Sequence, residues 1–416
     1  MLSTMNYNRT LHASYMGYVV QAAANCFAPL LFITFQQEFA LPLNLITLLV
    51  TLNFTIQLLI DFLSMKIIDK LGYRFCVMAA DIAAAAGFVS LGTLPYLVPS
   101  PYAGIVISVV LYAVGGGLME VMLSPIVEAC PFDNKAGVMA MLHSFYSWGC
   151  VAVILCSTAF FAVAGVASWR TLSCFWAAVP LINALMFARS PLPTLVAEGA
   201  GMSVRSLLRT RVVWLLFALM VCSGAAEQAM SQWASAFAEG ALGISKTAGD
   251  LLGPCLFALL MGTSRTLFGK LGSSKTLTVS MVASCALCVA SYLASSLSLT
   301  SWVALAGCAV CGFSVGVMWP GVFSLAACKM PRGGTAMFAF LALGGDLGCG
   351  GGPTLVGFVS SAVGSLKAGL LLGVVFPVVL TAGTLILRRK GTLHCVHVSS
   401  LPCMIPSHNP ASPSRH

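Results

Sequence analysis

The sequence predicts an all-α membrane protein of about twelve transmembrane helices, and three observations point to that fold class. Of its 416 residues, 59% are hydrophobic and only 8% are charged, whereas soluble domains are about 45–50% apolar and about 25% charged. The apolar residues form long continuous runs rather than the alternating pattern of barrel strands, and a spanning segment must satisfy its own backbone groups. Lysine and arginine are also concentrated in alternate loops.

Polar, proline-rich or glycine-rich breaks separate the apolar runs and predict the individual spans. The predicted spans lie near 12–35, 43–64, 74–94, 102–129, 137–165, 170–189, 212–237, 247–268, 275–297, 301–328, 333–361 and 366–387. The first run is long enough to cross a membrane, and no small-residue cleavage site follows it. We therefore expect the first helix to be retained rather than removed as a signal peptide.

The distribution of basic residues predicts the orientation. With the N-terminus inside, all of the 21 lysine and arginine residues except Arg170, Lys246 and Lys367 fall on the cytoplasmic side, and Arg265 is counted with them. Arg265 itself lies near the cytoplasmic end of the predicted span 247–268. The positive-inside bias predicts a cytoplasmic-membrane protein with both termini in the cytoplasm. The formal charge of +9 is interpreted as topology and not as nucleic-acid binding, because the cations are scattered singly.

Two landmarks predict a duplicated chain. KLG occurs at 70–72 and again at 270–272, and GLMEVMLSP (117–125) corresponds to GFSVGVMWP (312–320), with glycine and proline eight apart in each. Parallel halves of this kind suit alternating access around a site near the middle of the membrane. The predicted divisions are a six-helix N-terminal half, a cytoplasmic linker, a six-helix C-terminal half and a disordered cytoplasmic tail, at 1–189, 190–211, 212–390 and 391–416.

The cysteine and histidine residues predict no metal site and no cofactor. Most of the 16 cysteines lie inside apolar segments, where a thiol acts as a small hydrophobic side chain. His394, Cys395, His397 and Cys403 of the tail match no common zinc spacing.

DKLGYR (69–74), between the second and third spans, resembles the signature loop of the major facilitator superfamily. The resemblance implies the major facilitator fold, with two pseudo-symmetric six-helix halves. Asp69 could cap a helix or pair with a cation across the halves, and Gly72 permits a tight turn. We therefore predict a conformational gating set. It comprises Asp61, Asp69, Gly72 and Arg74.

A second resemblance is to the fucose/galactose/glucose symporter branch of that superfamily. It rests on GGGLMEVMLSPIVEACPFDNKAGVMAMLHSFYSWG (115–149), AEQAMSQW (226–233) and FQQEF (35–39). It implies a proton-coupling or sugar-hydroxyl-binding role for Glu120 and a polar site position for Tyr146. One departure is that Pro29 stands near the place where fucose permeases carry an aspartate in the first helix.

Ionisable residues inside the spans are the other candidates for a site. A charge at the bilayer centre costs about 2.5–3.5 kcal/mol even on lenient scales, so such residues usually face the bundle interior. Glu120, Glu227 and Asp346 meet this description. The repeat counterpart of Glu120 is Val315, so the fold itself does not require an acid there. Asp346 lies within a glycine-rich stretch, and the sequence there is equally compatible with a role in ion binding and a role in helix packing.

Amides and aromatic rings near these acids could bind a sugar through its hydroxyls and its C–H face. His143 could relay protons or hydrogen-bond between helices, and Asn25 could line the cavity or join helices. Trp319 could stack on the solute or serve as packing. The full predicted set for solute or proton binding comprises Asn25, Glu120, His143, Tyr146, Glu227, Gln228, Gln232, Trp233, Trp319 and Asp346.

These features favour a secondary transporter over other classes of membrane protein. No nucleotide-binding loop and no motif of a hydrolase or metalloprotease occurs in the sequence, so we expect neither an ATP-driven pump nor an enzyme. The predicted function is symport of a small polar solute, a sugar, with an ion, most simply a proton, by a monomer in a lipid bilayer. The alternative is an exporter of amphipathic compounds, and a non-transporting receptor has no positive support.

Overall fold

The computed structural model describes residues 7–132, 135–192, 204–271, 277–330 and 333–389, and these residues are helical apart from short turns. Twelve long helices, α1 to α12 in chain order, account for nearly all of them. They are Asn8–Phe39, Leu43–Leu71, Tyr73–Leu97, Pro101–Glu128, Lys135–Ala164, Val166–Arg189, Arg211–Ser231, Lys246–Phe268, Leu277–Leu297, Ser301–Ala326, Gly334–Val363 and Leu366–Arg388.

Eleven helices within the described residues are long and apolar enough to cross a membrane, namely all of the twelve except α11. The helix α11 is itself 30 residues long and packs against α7 and α2. The predicted fold class, an all-α membrane protein of about twelve helices, is confirmed. The described residues include no strand.

Irregular turns that contain a proline occur in two of the helices, α1 and α8. In α1 a short 3₁₀ turn, Ala28–Leu31, follows the regular segment Asn8–Cys26, and it contains Pro29. In α8 a π-helical turn carries Pro254. A proline has no backbone N–H, so it frees a carbonyl of the preceding turn to bond elsewhere.

The first six helices pack mainly on one another, as do the last six, and the pairs α2–α11 and α5–α8 join the two groups. The division into halves at 1–189 and 212–390 stays a prediction. Most of the predicted linker and the whole predicted tail, 391–416, lie outside the described residues. We call the end of the bundle with the α1–α2 and α7–α8 turns the Ala40 end, and the end with the α2–α3 turn the Gly72 end.

Close packing of α7 on α11 depends on Gly348. A Cβ atom added there would lie 2.0 Å from the Val221 carbonyl oxygen, so Gly348→Ala must push the two helices apart. Overpacking of this kind costs about 1–3 kcal/mol. We expect Gly348→Ala to lower the thermal unfolding midpoint of the purified protein, measured in detergent.

Gly351, one turn further along α11, supplies the matched control. No atom lies within 4 Å of a Cβ added there, and alanine is favoured over glycine inside a helix by about 0.5–1 kcal/mol. Gly351→Ala should therefore leave the midpoint unchanged or raise it. Equal losses in both variants would contradict the packing explanation.

Candidate functional site

An amide cluster joins α1, α2, α5 and α7 near the middle of the bundle. The Oδ1 atom of Asn25 accepts hydrogen bonds from Gln57 Nε2 at 2.8 Å and Asn53 Nδ2 at 3.1 Å. Its Nδ2 atom donates to the Tyr146 hydroxyl at 3.4 Å. Gln232 Nε2 donates to the backbone oxygen of Asn25 at 3.2 Å, so α7 joins the cluster from the other group of helices.

A second polar group surrounds Glu120 on α4. Gln21 Nε2 donates to Glu120 Oε2 at 2.6 Å. One turn before Gln21 on α1, the Tyr18 hydroxyl lies 3.2 Å from both Ser124 Oγ and His143 Nδ1. Glu120 is half-buried and His143 is exposed, whereas Gln21 and Tyr18 are buried. The carboxyl group therefore lies between a buried amide and more accessible positions.

An ion pair between α7 and α8 adjoins the amide cluster. Arg265 Nη2 on α8 lies 2.7 Å from Glu227 Oε2 on α7, and Nη1 donates to Ser147 Oγ on α5 at 3.1 Å. Glu227 is continuous with the amide cluster through Gln228 and Gln232, which hydrogen-bond in series along α7. The Arg265 side chain thus joins α7, α8 and α5 across the two helix groups.

Tyr18 lies near charged residues from both groups of helices. Its hydroxyl lies within electrostatic range of Glu120, Arg265 and Asp346, which come from α4, α8 and α11. Asp346 follows Gly345, and the Trp319 ring of α10 packs so closely on Gly345 that an added Cβ atom would lie 2.1 Å from it. Both Trp319 and Asp346 are partly exposed. The site therefore draws acids, a guanidinium group and a flat ring from both groups of helices.

The Ala40 end is closed by a buried polar cluster around Lys246, at the start of α8. Lys246 Nζ donates to the Leu30 backbone oxygen at 2.5 Å, to Ser235 Oγ at 3.0 Å and to Asp250 Oδ1 at 3.0 Å. Ser235 also donates to Asp250 Oδ1, at 2.5 Å. The Asp250 side chain is only 1% exposed. Lys246 therefore binds an acid of its own helix and a carbonyl of α1, beside Pro29, at the same time.

Glu239 lies beside this cluster in the turn between α7 and α8, outside the spans. Its Oε2 atom is 3.9 Å from Lys246 Nζ. Burial raises the pKa of the Glu239 carboxyl group above its ordinary value, and the nearby ammonium group opposes that shift. None of the residues of this cluster belongs to the set predicted from the sequence. The spacing of Lys246 and Asp250, four apart on one helix face, is the local signal that indicates an ion pair.

A small cavity lies towards the Ala40 end of the bundle. It is bounded by α1 to α4 and by Gln232 at the end of α7, its polar lining includes Asn25 and Asn53, and it has room for about one water molecule. By contrast, Glu120, His143, Arg265 and Asp346 retain exposure. The charged residues of the site are therefore more accessible than the amide cluster around Asn25.

Several predicted site residues do not face this accessible region. Trp233 is fully buried, and its Nε1 atom donates to the Pro353 backbone oxygen at 2.9 Å. Gln228 and Gln232 are buried within the network. Arg265, which the charge count treated as a topology signal on the cytoplasmic side, lies inside α8 in an ion pair, because an ion pair satisfies a guanidinium group within the bundle.

The predicted gating residues lie around the α2–α3 turn. Gly72 has a φ of +82°, a conformation that favours glycine. Arg74 binds the end of α6, with hydrogen bonds to the backbone oxygens of Phe187, Ala188 and Ser190 at 2.7, 3.0 and 2.8 Å. The side chains of Asp61 and Asp69 lie outside the described part of the chain. A gating role for all four stays a prediction.

Comparison with solved structures finds the same fold at low sequence identity. The E. coli fucose:proton symporter FucP is 18% identical with a TM-score of 0.64, covering 92% of this chain and 99% of that one. A D-xylose-proton symporter is 14% identical with a TM-score of 0.74, covering 92% and 97%. A bacterial homologue of the human lysosomal transporter Spinster, inward-facing and unoccupied, is 15% identical with a TM-score of 0.73, covering 93% and 98%.

The curated proteins include no match to this chain. A family model does match, over residues 15–353, and its description is Major Facilitator Superfamily. That range includes the intramembrane acids Glu120, Glu227 and Asp346 and the ion-paired Arg265. The chain therefore belongs to the Major Facilitator Superfamily, and it is a multi-pass membrane transporter rather than an enzyme.

Proposed function

We propose that this transporter carries a hydroxylated solute, a sugar, in symport with protons. The observation that carries the proposal is a pair of neighbouring polar groups in the bundle: one surrounds Glu120, and the other runs by hydrogen bonds from Asn25 through Gln232 and Glu227 to Arg265 and so includes helices of both groups. Alternating access requires a site shared between two bodies that move relative to each other. Each carboxyl group of the network can bind a proton in one arrangement and release it in another.

Buried acceptors without partners support the choice of a hydroxylated solute. Among the described residues, Gln21 Oε1 and Asn53 Oδ1 are buried and have no hydrogen-bond partner. A buried acceptor left unpaired costs about 1–3 kcal/mol, and a sugar hydroxyl or a bound water would satisfy it. The likeness to symporters of fucose and xylose is a likeness of fold, and it agrees with this proposal.

The Gly72 end faces the cytoplasm in this proposal, with both termini on that side, because the positive-inside bias of the loops places it there. The arrangement is then inward-facing, with the Lys246 cluster closing the outer side. The chain acts as a monomer in the cytoplasmic membrane, with its halves at 1–189 and 212–390.

Uptake into proteoliposomes tests the function. We expect a panel of labelled hexoses and deoxyhexoses to include one sugar that accumulates when an inward proton gradient is applied. Glu120→Gln should lower gradient-driven accumulation by at least about tenfold, since an amide cannot carry the proton. The same variant should retain exchange of labelled for unlabelled sugar without a gradient, because Gln21 can still donate to the carbonyl oxygen of the introduced amide.

Glu38→Gln is the matched control. Glu38 lies at the Ala40 end of α1, where Trp169 Nε1 donates to it at 2.8 Å, and it is outside the network. This variant should accumulate sugar as wild type does. Folded protein that transports no sugar of the panel would overturn the sugar assignment, and loss of accumulation in both variants would overturn the role of Glu120.

A further inference from the structure

Two thiol groups meet beside the amide cluster. Cys26, the last residue of the regular first segment of α1, and Cys150 on α5 have their sulfur atoms 2.9 Å apart. Both are free cysteines; Cys150 is 4% exposed and Cys26 is partly buried. Their sequence separation of 124 residues means that only the packing of α1 on α5 creates the pair.

The pair lies at the seam between the two groups of helices. Cys150 packs in one apolar cluster with Leu30 of α1 and Cys255 of α8. Leu30 is the residue whose carbonyl oxygen accepts the Lys246 hydrogen bond. A cavity with room for about one water molecule adjoins Cys26, and its walls include Leu30, Ser235 and Pro254. Separation of the helix groups at the Ala40 end would open this cavity.

We propose that Cys26 and Cys150 form a dithiol site for a bridging thiophilic ligand, a trivalent arsenical, that becomes accessible when the Ala40 end opens. In the reaction R–As=O takes two thiols, two As–S bonds form, and the arsenic oxygen leaves as water with both thiol protons. Arsenic stays trivalent throughout, so no oxidant is required. Two thiols already in contact offer both bonds to one arsenic atom, and this favours the bridged product over single thiol adducts.

A ligand bound at the dithiol site would stop transport because it would affect the neighbouring residues of the amide cluster. Asn25, whose side chain holds the amide cluster together, directly precedes Cys26. Tyr146, which accepts from Asn25, lies one helical turn before Cys150. A covalent bridge would tie α1 to α5 beside this hydrogen bond, and an arsenic substituent would occupy the seam that must close again for the transport cycle to continue.

Phenylarsine oxide and intact-protein mass spectrometry test the site in the full-length protein in nanodiscs. The single variants Cys26→Ser and Cys150→Ser should each carry one bridged phenylarsenic group fewer per chain than wild type. Cys255→Ser, from the same apolar cluster, should carry the wild-type number. Cys288→Ser is a second control and should also carry the wild-type number. Cys288 and Cys311 are both buried, and their sulfur atoms are farther apart, at 3.9 Å. A dithiol should remove the arsenic, and a monothiol should not.

Accessibility gives a second, independent readout. Lys246→Met lacks the hydrogen bond to Leu30, and loss of one charge-assisted bond should speed labelling of the pair by roughly tenfold. Equal arsenic content in wild type, Cys26→Ser and Cys150→Ser would overturn the dithiol site. An unchanged labelling rate in Lys246→Met would overturn access from the Ala40 end. Neither readout depends on which solute the protein carries.

Discussion

Replacing Arg265 by methionine is expected to abolish transport and to destabilise the protein by about 3–5 kcal/mol, because Glu227 would keep a buried charge with no cation beside it. The Glu227 side chain is 6% exposed and lies 2.7 Å from the guanidinium group. The variant also loses the bond from Arg265 to Ser147, which joins α8 to α5. Thermal unfolding in detergent and solute uptake would measure the two effects separately.

The double variant Arg265→Met/Glu227→Gln separates a structural role of the pair from a functional one. Removing both charges should restore most of the lost stability, because the remaining amide has a neighbour in Gln228. If the pair takes part in transport, the double variant stays inactive although it is stable. Recovery of full gradient-driven uptake would show that the ion pair only holds α7 and α8 together, and it would remove both residues from the proposed site.

Lys246→Met should shift the protein towards a state that is open at the Ala40 end. Methionine cannot make the hydrogen bonds of Lys246 to Leu30, Ser235 and Asp250. Asp250 is then a buried acid without its cation, which costs about 3–5 kcal/mol in the closed state. Opening lets water reach Asp250 and relieves that cost. A membrane-impermeant maleimide added on the side of the Ala40 end should therefore label Leu30→Cys faster in the Lys246→Met background.

Two further variants make this prediction specific. Lys246→Met/Asp250→Asn removes both charges of the pair, so its unfolding midpoint should return towards wild type. It still lacks the bond between α8 and α1, so its labelling should stay faster than that of wild type. Lys367→Met removes a lysine that donates to the Ser298 backbone oxygen at 2.9 Å within the last six helices, and it should label at the wild-type rate. Acceleration by Lys367→Met would contradict a local lock.

The polar network could be predicted only in part from the sequence. Glu120, Tyr146 and Asn25 were expected to belong to a central site, and the structure brings Asn25 within 3.4 Å of Tyr146 and Gln21 within 2.6 Å of Glu120. Their roles in binding stay predictions. Trp233 was expected beside the solute as well, yet it is fully buried with its ring nitrogen on Pro353. Hydropathy locates a residue along a helix, but it does not specify the direction in which the side chain points.

The cations show the same limit. A charge count treats every lysine and arginine between or near the ends of spans as a topology signal. Arg265 and Lys246 instead lie in partly or wholly buried ion pairs, with partners 38 residues away in one case and four residues away in the other. The distant pair depends on α7 packing beside α8, which a count of charges does not represent.

The sequence by itself determined the all-helical membrane architecture, the approximate position of each span and the superfamily, because hydrophobic length and short motifs are local properties of the chain. The tertiary structure decided which polar groups meet: Glu227 with Arg265, Lys246 with Leu30, and Cys26 with Cys150. These contacts depend on the rotation of each helix about its axis and on which helices become neighbours. In a chain with so many apolar faces, packing rather than hydropathy determines both.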